Sequence, residues 1–221
     1  LSAWLLNVLN ILTGNLDRRG GMMFTKPAVD FAGLAAKGGN IGHFNLWQSR
    51  VSGLPEFGGE LPVSAMAEEI DTPGEGQIRA LVTIAGNPVL STPNGQRLDA
   101  ALEGLEFMVS IDMFLNETTR HADIILPSVS PLERDHFGLA FHNFAVRNTV
   151  KYCEPLFEPD GDTMEDWEIF FELSKRLVEL RPGIAKQFES KAFSLMQKMG
   201  PAKALDMAMR FGSYGAGLNP L

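Results

Sequence analysis

Between residues 78 and 127 the apolar positions fall into short solid runs separated by stretches of helical spacing. The first run is Ile78-Arg79-Ala80-Leu81-Val82-Thr83-Ile84-Ala85, and it stops sharply at Gly86-Asn87-Pro88. A β-rich run this short, with apolar residues at consecutive positions, predicts a strand buried on both faces of a parallel sheet. Leu98, Ala101, Leu102 and Leu105 then recur at helical spacing and predict a short helix over 98–105. A second strand is expected over 107–111, ending at Asp112, and a single helical turn over 117–121. Ile124-Ile125-Leu126, closed by Pro127, makes a third strand. Strands alternating with helices predict an α/β fold: a doubly wound, mostly parallel sheet with helices on both faces, followed by C-terminal helices.

The flanks follow other patterns. Trp4, Leu5, Val8, Leu9 and Leu12 share the helical period, which predicts a helix over 1–12 with most faces buried, stopping at Thr13-Gly14-Asn15. That stretch lacks a basic start, a small-residue cleavage site and an initiator Met. It therefore reads as the inside of a helix of a larger protein rather than as a signal peptide. Residues 27–73 are rich in Gly and Pro, without a sustained period, and predict loops and short elements. Residues 131–159 are irregular again, with a strand expected through Ala145-Val146. A later helix is expected to be capped by Asp162 with Glu165 three residues on. Trp167, Phe170, Phe171, Ser174, Leu177 and Val178 form its buried side, and Pro182-Gly183 ends it. Two further helices are expected over 185–199 and 202–211. The expected organisation is a leading helix and irregular segment over 1–76, an α/β dinucleotide-binding domain over 77–181, and a helical extension over 182–221.

Composition narrows the function classes. The 221 residues are 45% hydrophobic, enough for a sizeable core. A formal net charge of -8 repels phosphate backbones at long range, so nucleic acid is not expected as a partner. The one cysteine, Cys153, can form no internal disulfide and fits a reducing compartment, so a cytoplasmic location is expected. It also cannot by itself hold an iron–sulfur cluster. No run of about 18 apolar residues occurs, so direct membrane insertion is not expected.

Candidate chemistry gathers where the expected strands end, because open α/β sheets bind ligands beyond the carboxyl ends of their strands. Gly86 lets a backbone approach closely, Asn87 offers both donor and acceptor, and Ser91 and Thr92 add hydroxyls. The tripeptide alone reads equally as turn chemistry. Asp112, at the second strand end, could accept from ribose hydroxyls or from guanine N–H groups, or could cap a helix. The spacing of Asn87 and Asp112 is more telling than either residue. Glu133-Arg134-Asp135-His136 could do acid–base work or form a set of ion pairs. The glycine fingerprints of NAD enzymes and of nucleoside triphosphatases are absent, as are HExxH and the serine-hydrolase elbow.

As a set these residues resemble the molybdopterin oxidoreductases, a family that includes formate dehydrogenases, nitrate reductases and dimethyl sulfoxide reductases. The resemblance rests on Gly86-Asn87-Pro88 with Ser91, then 111–118 (Asp112, Phe114, Glu117, Thr118), then Ala122-Asp123 with Leu126-Pro127. Leu12-Thr13-Gly14-Asn15 with Gly20-Gly21, the spaced Asn143 and Arg147, and Asp166-Trp167 add to it. It implies a parent enzyme with molybdenum or tungsten on two pterin guanine dinucleotides, one of them cradled by this chain. By the same resemblance Gly86, Asn87, Pro88 and Ser91 line nucleotide and phosphates, and Asp112 and Met113 meet guanine or ribose. Thr118 and Asp123 support that pocket, and Asn143 and Arg147 lie towards the pterin. No residue of the chain is expected to be catalytic or to ligate the metal. A 4Fe-4S cluster would belong to the rest of the parent. The implied partners are the remaining domains of that polypeptide and an electron-transfer subunit. The chain alone is expected to have no turnover. The alternative is a stand-alone α/β binding or interaction module without cofactor. At 132–137 the sequence departs from the common family pattern.

Overall fold

The computed structural model describes residues 2–39, 42–161, 163–180 and 185–215. Two compact units make up the chain. One comprises Leu1–Gly38, His136–Cys153 and Met199–Leu221, and the other Gly39–Asp135 and Glu154–Lys198.

The second unit holds the sheet. Strands β3 (Ala80–Ile84), β4 (Phe107–Ile111) and β5 (Ile124–Leu126) pair in that order, all parallel, with Ile84 beside Ile111 and Ile111 beside Leu126. Helices α4 (Pro88–Ser91) and α5 (Gly95–Leu102) connect β3 to β4, and a 3-10 turn, Thr119–His121, precedes β5. The α/β class and the parallel sheet agree with the sequence reading. On one face Leu81 and Met108 pack under α5, through Leu98, Ala101 and Leu102, and under α3 (Met66–Asp71), through Ala67 and Ile70. Burying Leu98, Leu102 and Met108 contributes about 2 kcal/mol each. Within this face Thr83 and Ser110 are polar, and their hydroxyls satisfy each other at 2.7 Å.

The other face differs from expectation. Val82 is 55% exposed, Ile84 53%, Phe107 45% and Ile124 45%. Strands that read as buried on both sides are thus only partly covered on this side, where Ile111 is buried, whereas α3 and α5 pack over the Leu81–Met108 side. The long irregular stretch supplies more order than its composition suggested: besides α3 it forms the antiparallel pair β1 (Phe44–Gln48) and β2 (Pro55–Phe57). The fully buried Glu56 carboxylate holds that pair together by accepting the N–H groups of Leu46 at 2.9 Å and Gly59 at 3.1 Å, with His43 beside it.

Helix α6 (Asp166–Leu180) starts one register later than the expected capping box. Asp162 lies outside the described residues; the observed device is Glu168, whose carboxylate accepts the Glu165 N–H at 3.0 Å. Of its expected apolar side Val178 is buried, together with Ile169, while Leu177 is 61% exposed. Pro182 and Gly183 also lie outside the described residues. The two expected last helices are both present within α7 (Ala185–Arg210), separated by the non-helical Gly200 (φ 68°, ψ 167°) before Pro201. A left-handed glycine ends one helix and proline opens the next.

In the first unit α1 (Ser2–Leu12) forms as expected but buries none of its described residues; Trp4 is 62% exposed. Trp4, Leu5, Leu9 and Leu12 keep the helical period and stay exposed. A short helix, α2 (Phe31–Lys37), follows. The strand expected through Ala145-Val146 is absent. Ala145 instead ends a 3-10 turn, Phe141–Phe144, and the local pairing is between β6 (His136–Phe137) and β7 (Tyr152–Cys153). No helix among the described residues is long and apolar enough to cross a membrane.

Candidate functional site

β3 leaves the sheet through two consecutive left-handed residues, Ala85 (φ 47°) and Gly86 (φ 81°). The Ala85 N–H donates to the Ile111 carbonyl at 2.8 Å, so the ladder persists past the end of the strand. Left-handed backbone costs an alanine about 1 kcal/mol. The turn delivers Asn87 onto the carboxyl rim, while Gly86 presents bare backbone: a Cβ built there meets nothing within 4 Å.

Asn87 and Asp112 meet on that rim through a continuous set of hydrogen bonds. The buried Thr118 hydroxyl donates to Asn87 Oδ1 at 2.7 Å and accepts the Val89 N–H at 3.1 Å. Asn87 Nδ2 donates to Glu117 at 2.6 Å. Asn116 Oδ1 accepts the N–H groups of Thr118 and Thr119, and its Nδ2 donates to Asp112 at 3.3 Å. Asp112, 8% exposed, also accepts the Phe114 N–H at 2.9 Å. Asn116 is the residue that sequence reasoning missed. Its position four residues after Asp112 and two before Thr118, where an Asx side chain turns the backbone, was the available signal.

The other expected residues are placed as follows. Pro88 opens α4 and Ser91 ends it, exposed, with its N–H on the Asn87 carbonyl. Met113, Phe114 and Leu115 are exposed beyond Asp112. Asp123 sits at the opposite, amino end of the strands. There its N–H and carboxylate engage the carbonyl and N–H of Met108, at 2.8 and 2.7 Å, and start the β4–β5 pairing. His121, almost buried, bonds Asp99 at 2.7 Å and fastens the Thr119–His121 turn to α5 behind Thr118. Of the charged stretch at 133–136, Glu133 accepts the Ser130 N–H at 2.9 Å and Arg134 pairs with Asp166, as an ion-paired loop would.

Carboxylates dominate the electrostatics of the rim. Glu117 is held below the usual carboxylate range by its own backbone N–H and then by the Asn87 amide. Acceptors of this kind suit a ligand edge rich in N–H or O–H donors, whereas phosphate oxygens suit the exposed backbone at Gly86.

The first unit carries a separate cleft of about 820 Å³ lined by Gly20, Gly21, Thr25, Asn143, Arg147 and Asn148. Two stretches far apart in sequence, both singled out by the resemblance, meet here. The glycine loop is built by backbone: the Met22 N–H donates to the Asn15 carbonyl at 2.9 Å, and a Cβ on Gly21 would lie 2.2 Å from that oxygen. The Thr25 hydroxyl donates to the Asn143 carbonyl at 2.5 Å. Asn143 spends its amide on the Leu139 and Ala140 carbonyls, whereas Arg147 is exposed. Bare backbone plus a guanidinium is a donor set for an anionic or acceptor-rich ligand. Among the described residues no three His, Cys, Asp or Glu side chains converge to hold a metal ion.

Comparison with known proteins gives these positions a family. A probable oxidoreductase of Bacillus subtilis is 28% identical over 153 residues, covering 66% of this chain and 22% of its own length. The assimilatory nitrate reductase catalytic subunit of the same organism is 34% identical over 134 residues, 60% of this chain and 17% of its own. The F420-dependent formate dehydrogenase subunit alpha of Methanocaldococcus jannaschii is 34% identical over 110 residues, 50% of this chain and 16% of its own. The chain thus spans about a fifth of the length of these curated relatives. The family model described as molybdopterin oxidoreductase matches residues 2–176, taking in both the rim of the sheet and the glycine-lined cleft. By that match the chain belongs to the molybdopterin oxidoreductase family.

Proposed function

We propose that the chain contributes the cradle for one pterin guanine dinucleotide in a molybdenum or tungsten oxidoreductase of the formate dehydrogenase or nitrate reductase kind. The observation that carries this reading is the hydrogen-bonded rim joining Asn87 to Asp112 beside the open backbone of Gly86. Asp112, with Met113 alongside, takes the donor edge of guanine or the ribose hydroxyls. Gly86, Pro88 and Ser91 line the phosphates, and Asn87 and Thr118 fix the shape of the turn. Asp123 supports the rim from the far end of the strands. In the first unit Arg147 and the glycine loop, with Asn143 behind them, lie towards the pterin. The metal–pterin unit, when bound, supplies the redox chemistry. This chain binds and orients, and it has no turnover by itself. Relatives named as a catalytic subunit and as a subunit alpha support partners in the form of further domains and an electron-transfer subunit.

The test is Asp112→Ala in the natural-length protein, with guanine nucleotide, pterin and metal content measured after purification. Loss of a charge-assisted hydrogen bond is expected to lower guanine nucleotide retention about tenfold. Unchanged guanine nucleotide content would remove Asp112 from the cradle, and a wild-type protein without guanine nucleotide, pterin or metal would favour an α/β module that keeps the fold without the cofactor.

A further inference from the structure

The segment after the kink of α7 lies beyond the residues matched by the family model, yet it touches the wall of the cleft. Two independent contacts hold it there. Gly212 abuts the backbone of Ala28: a Cβ on Gly212 would lie 1.8 Å from the Ala28 carbonyl oxygen, closer than any side chain can sit. Two residues later the Tyr214 hydroxyl accepts a hydrogen bond from Asn148 Nδ2 at 2.6 Å. The Asn148 Oδ1 in turn accepts the Lys26 N–H at 3.0 Å, and the Lys26 ammonium stands over the Tyr214 ring, 5.7 Å from its centre.

Asn148 is the hinge of this arrangement. It lines the large cleft beside Arg147, and it also lines a smaller cavity of about 330 Å³ together with Tyr214, Ala28 and Val150. Its amide is fixed at both ends, by the Lys26 backbone and by Tyr214. Removing the phenol oxygen would free one end, and the exposed side chain would regain rotamers. Thr25, next to Lys26, ties the same wall to Asn143.

We propose that residues 199–215 brace the cleft and that Tyr214 is a positioning residue, acting through Asn148 on whatever the cleft holds. This rests on the reading of the cleft as facing the pterin, and it adds a segment outside the matched family span to the binding apparatus. An amide held at one end only costs the bound ligand one ordered hydrogen bond, which corresponds to about threefold to tenfold in dissociation.

The experiment uses the natural-length protein purified with its cofactor, labelled with ¹⁵N-asparagine. Tyr214→Phe keeps the ring and removes only the acceptor oxygen. Pterin release, followed by the fluorescence of the oxidised pterin, is expected to quicken about threefold to tenfold at an unaltered melting midpoint. A purely structural tyrosine would instead lower the midpoint and leave release unchanged. The side-chain amide resonances of Asn148 are expected to shift in the same variant, with or without cofactor. Gly212→Ala, which pushes the segment off Ala28, is expected to quicken release too. Wild-type release from Tyr214→Phe overturns the brace. If the wild-type protein holds no pterin, the reading of the cleft fails separately, and unshifted Asn148 resonances then overturn the brace alone.

Discussion

Thr118 is fully buried, and its hydroxyl serves at once as donor to Asn87 and acceptor for the Val89 N–H. Thr118→Val keeps the shape and strands both partners, whereas Thr118→Ser keeps the oxygen. An unsatisfied buried polar group costs about 1–3 kcal/mol. Chemical denaturation should therefore show Thr118→Val destabilised by about that amount, with Thr118→Ser much nearer to wild type. Equal losses in the two variants would mean that methyl packing, not the hydroxyl, holds the turn. Asn87 and Asp112 could be picked from sequence because turn and strand-end chemistry leaves recognisable residue types, and Thr118 through the family resemblance. Their mutual bonding could not: the place of Asn116 two residues before Thr118 signals an Asx turn, but not that its amide reaches Asp112. The same limit hid Thr25 and Tyr214, whose partners lie 118 and 66 residues away.

The N-terminus of α6 allows a test by pH. Burial, with Asp135 and Glu168 nearby, pushes the Glu165 carboxyl above its ordinary value, although the Trp167 N–H bond at 2.9 Å opposes this. A carboxyl raised in the folded state binds its proton more tightly there than in the unfolded chain. Its contribution to stability is therefore full below the unfolded value, about pH 4.3, and is lost as pH rises through the folded value. Glu165→Gln, which keeps an acceptor for Trp167, is expected to raise the melting midpoint at pH 7. That advantage should disappear below about pH 4. A midpoint difference independent of pH would contradict the assignment. The elements themselves were unevenly legible. Strands β4 and β5 stand where the apolar runs stand, because each is bounded by its own stop residues, Asp112 and Pro127. The β1–β2 pair escaped detection because its organiser is one buried carboxylate, Glu56, rather than a period. The strand expected at Ala145-Val146 failed because two β-compatible residues do not make a ladder without a partner, and the partners there are His136–Phe137 and Tyr152–Cys153.

At the scale of the whole molecule the sheet is unequal: Leu81 and Met108 are packed, while Val82, Ile84, Phe107 and Ile124 face outward. Exposed apolar residues of this kind promote association. Ile84→Thr combined with Phe107→Ser should reduce self-association of the 221-residue chain in sedimentation velocity and leave the Leu98–Met108 core intact. A chain that sediments as a monomer before the change would show that the face is innocuous. The same sheet presents the rim on which the functional reading turns. Amide hydrogen exchange, compared between cofactor-loaded and cofactor-depleted natural-length protein, reads that rim most directly. The backbone from Ala85 to Ser91 and from Asp112 to Thr118 should exchange more slowly when the cofactor is present. Equal exchange at both stretches, with protection confined to other parts of the protein, would contradict the assignment of a guanine nucleotide to the rim.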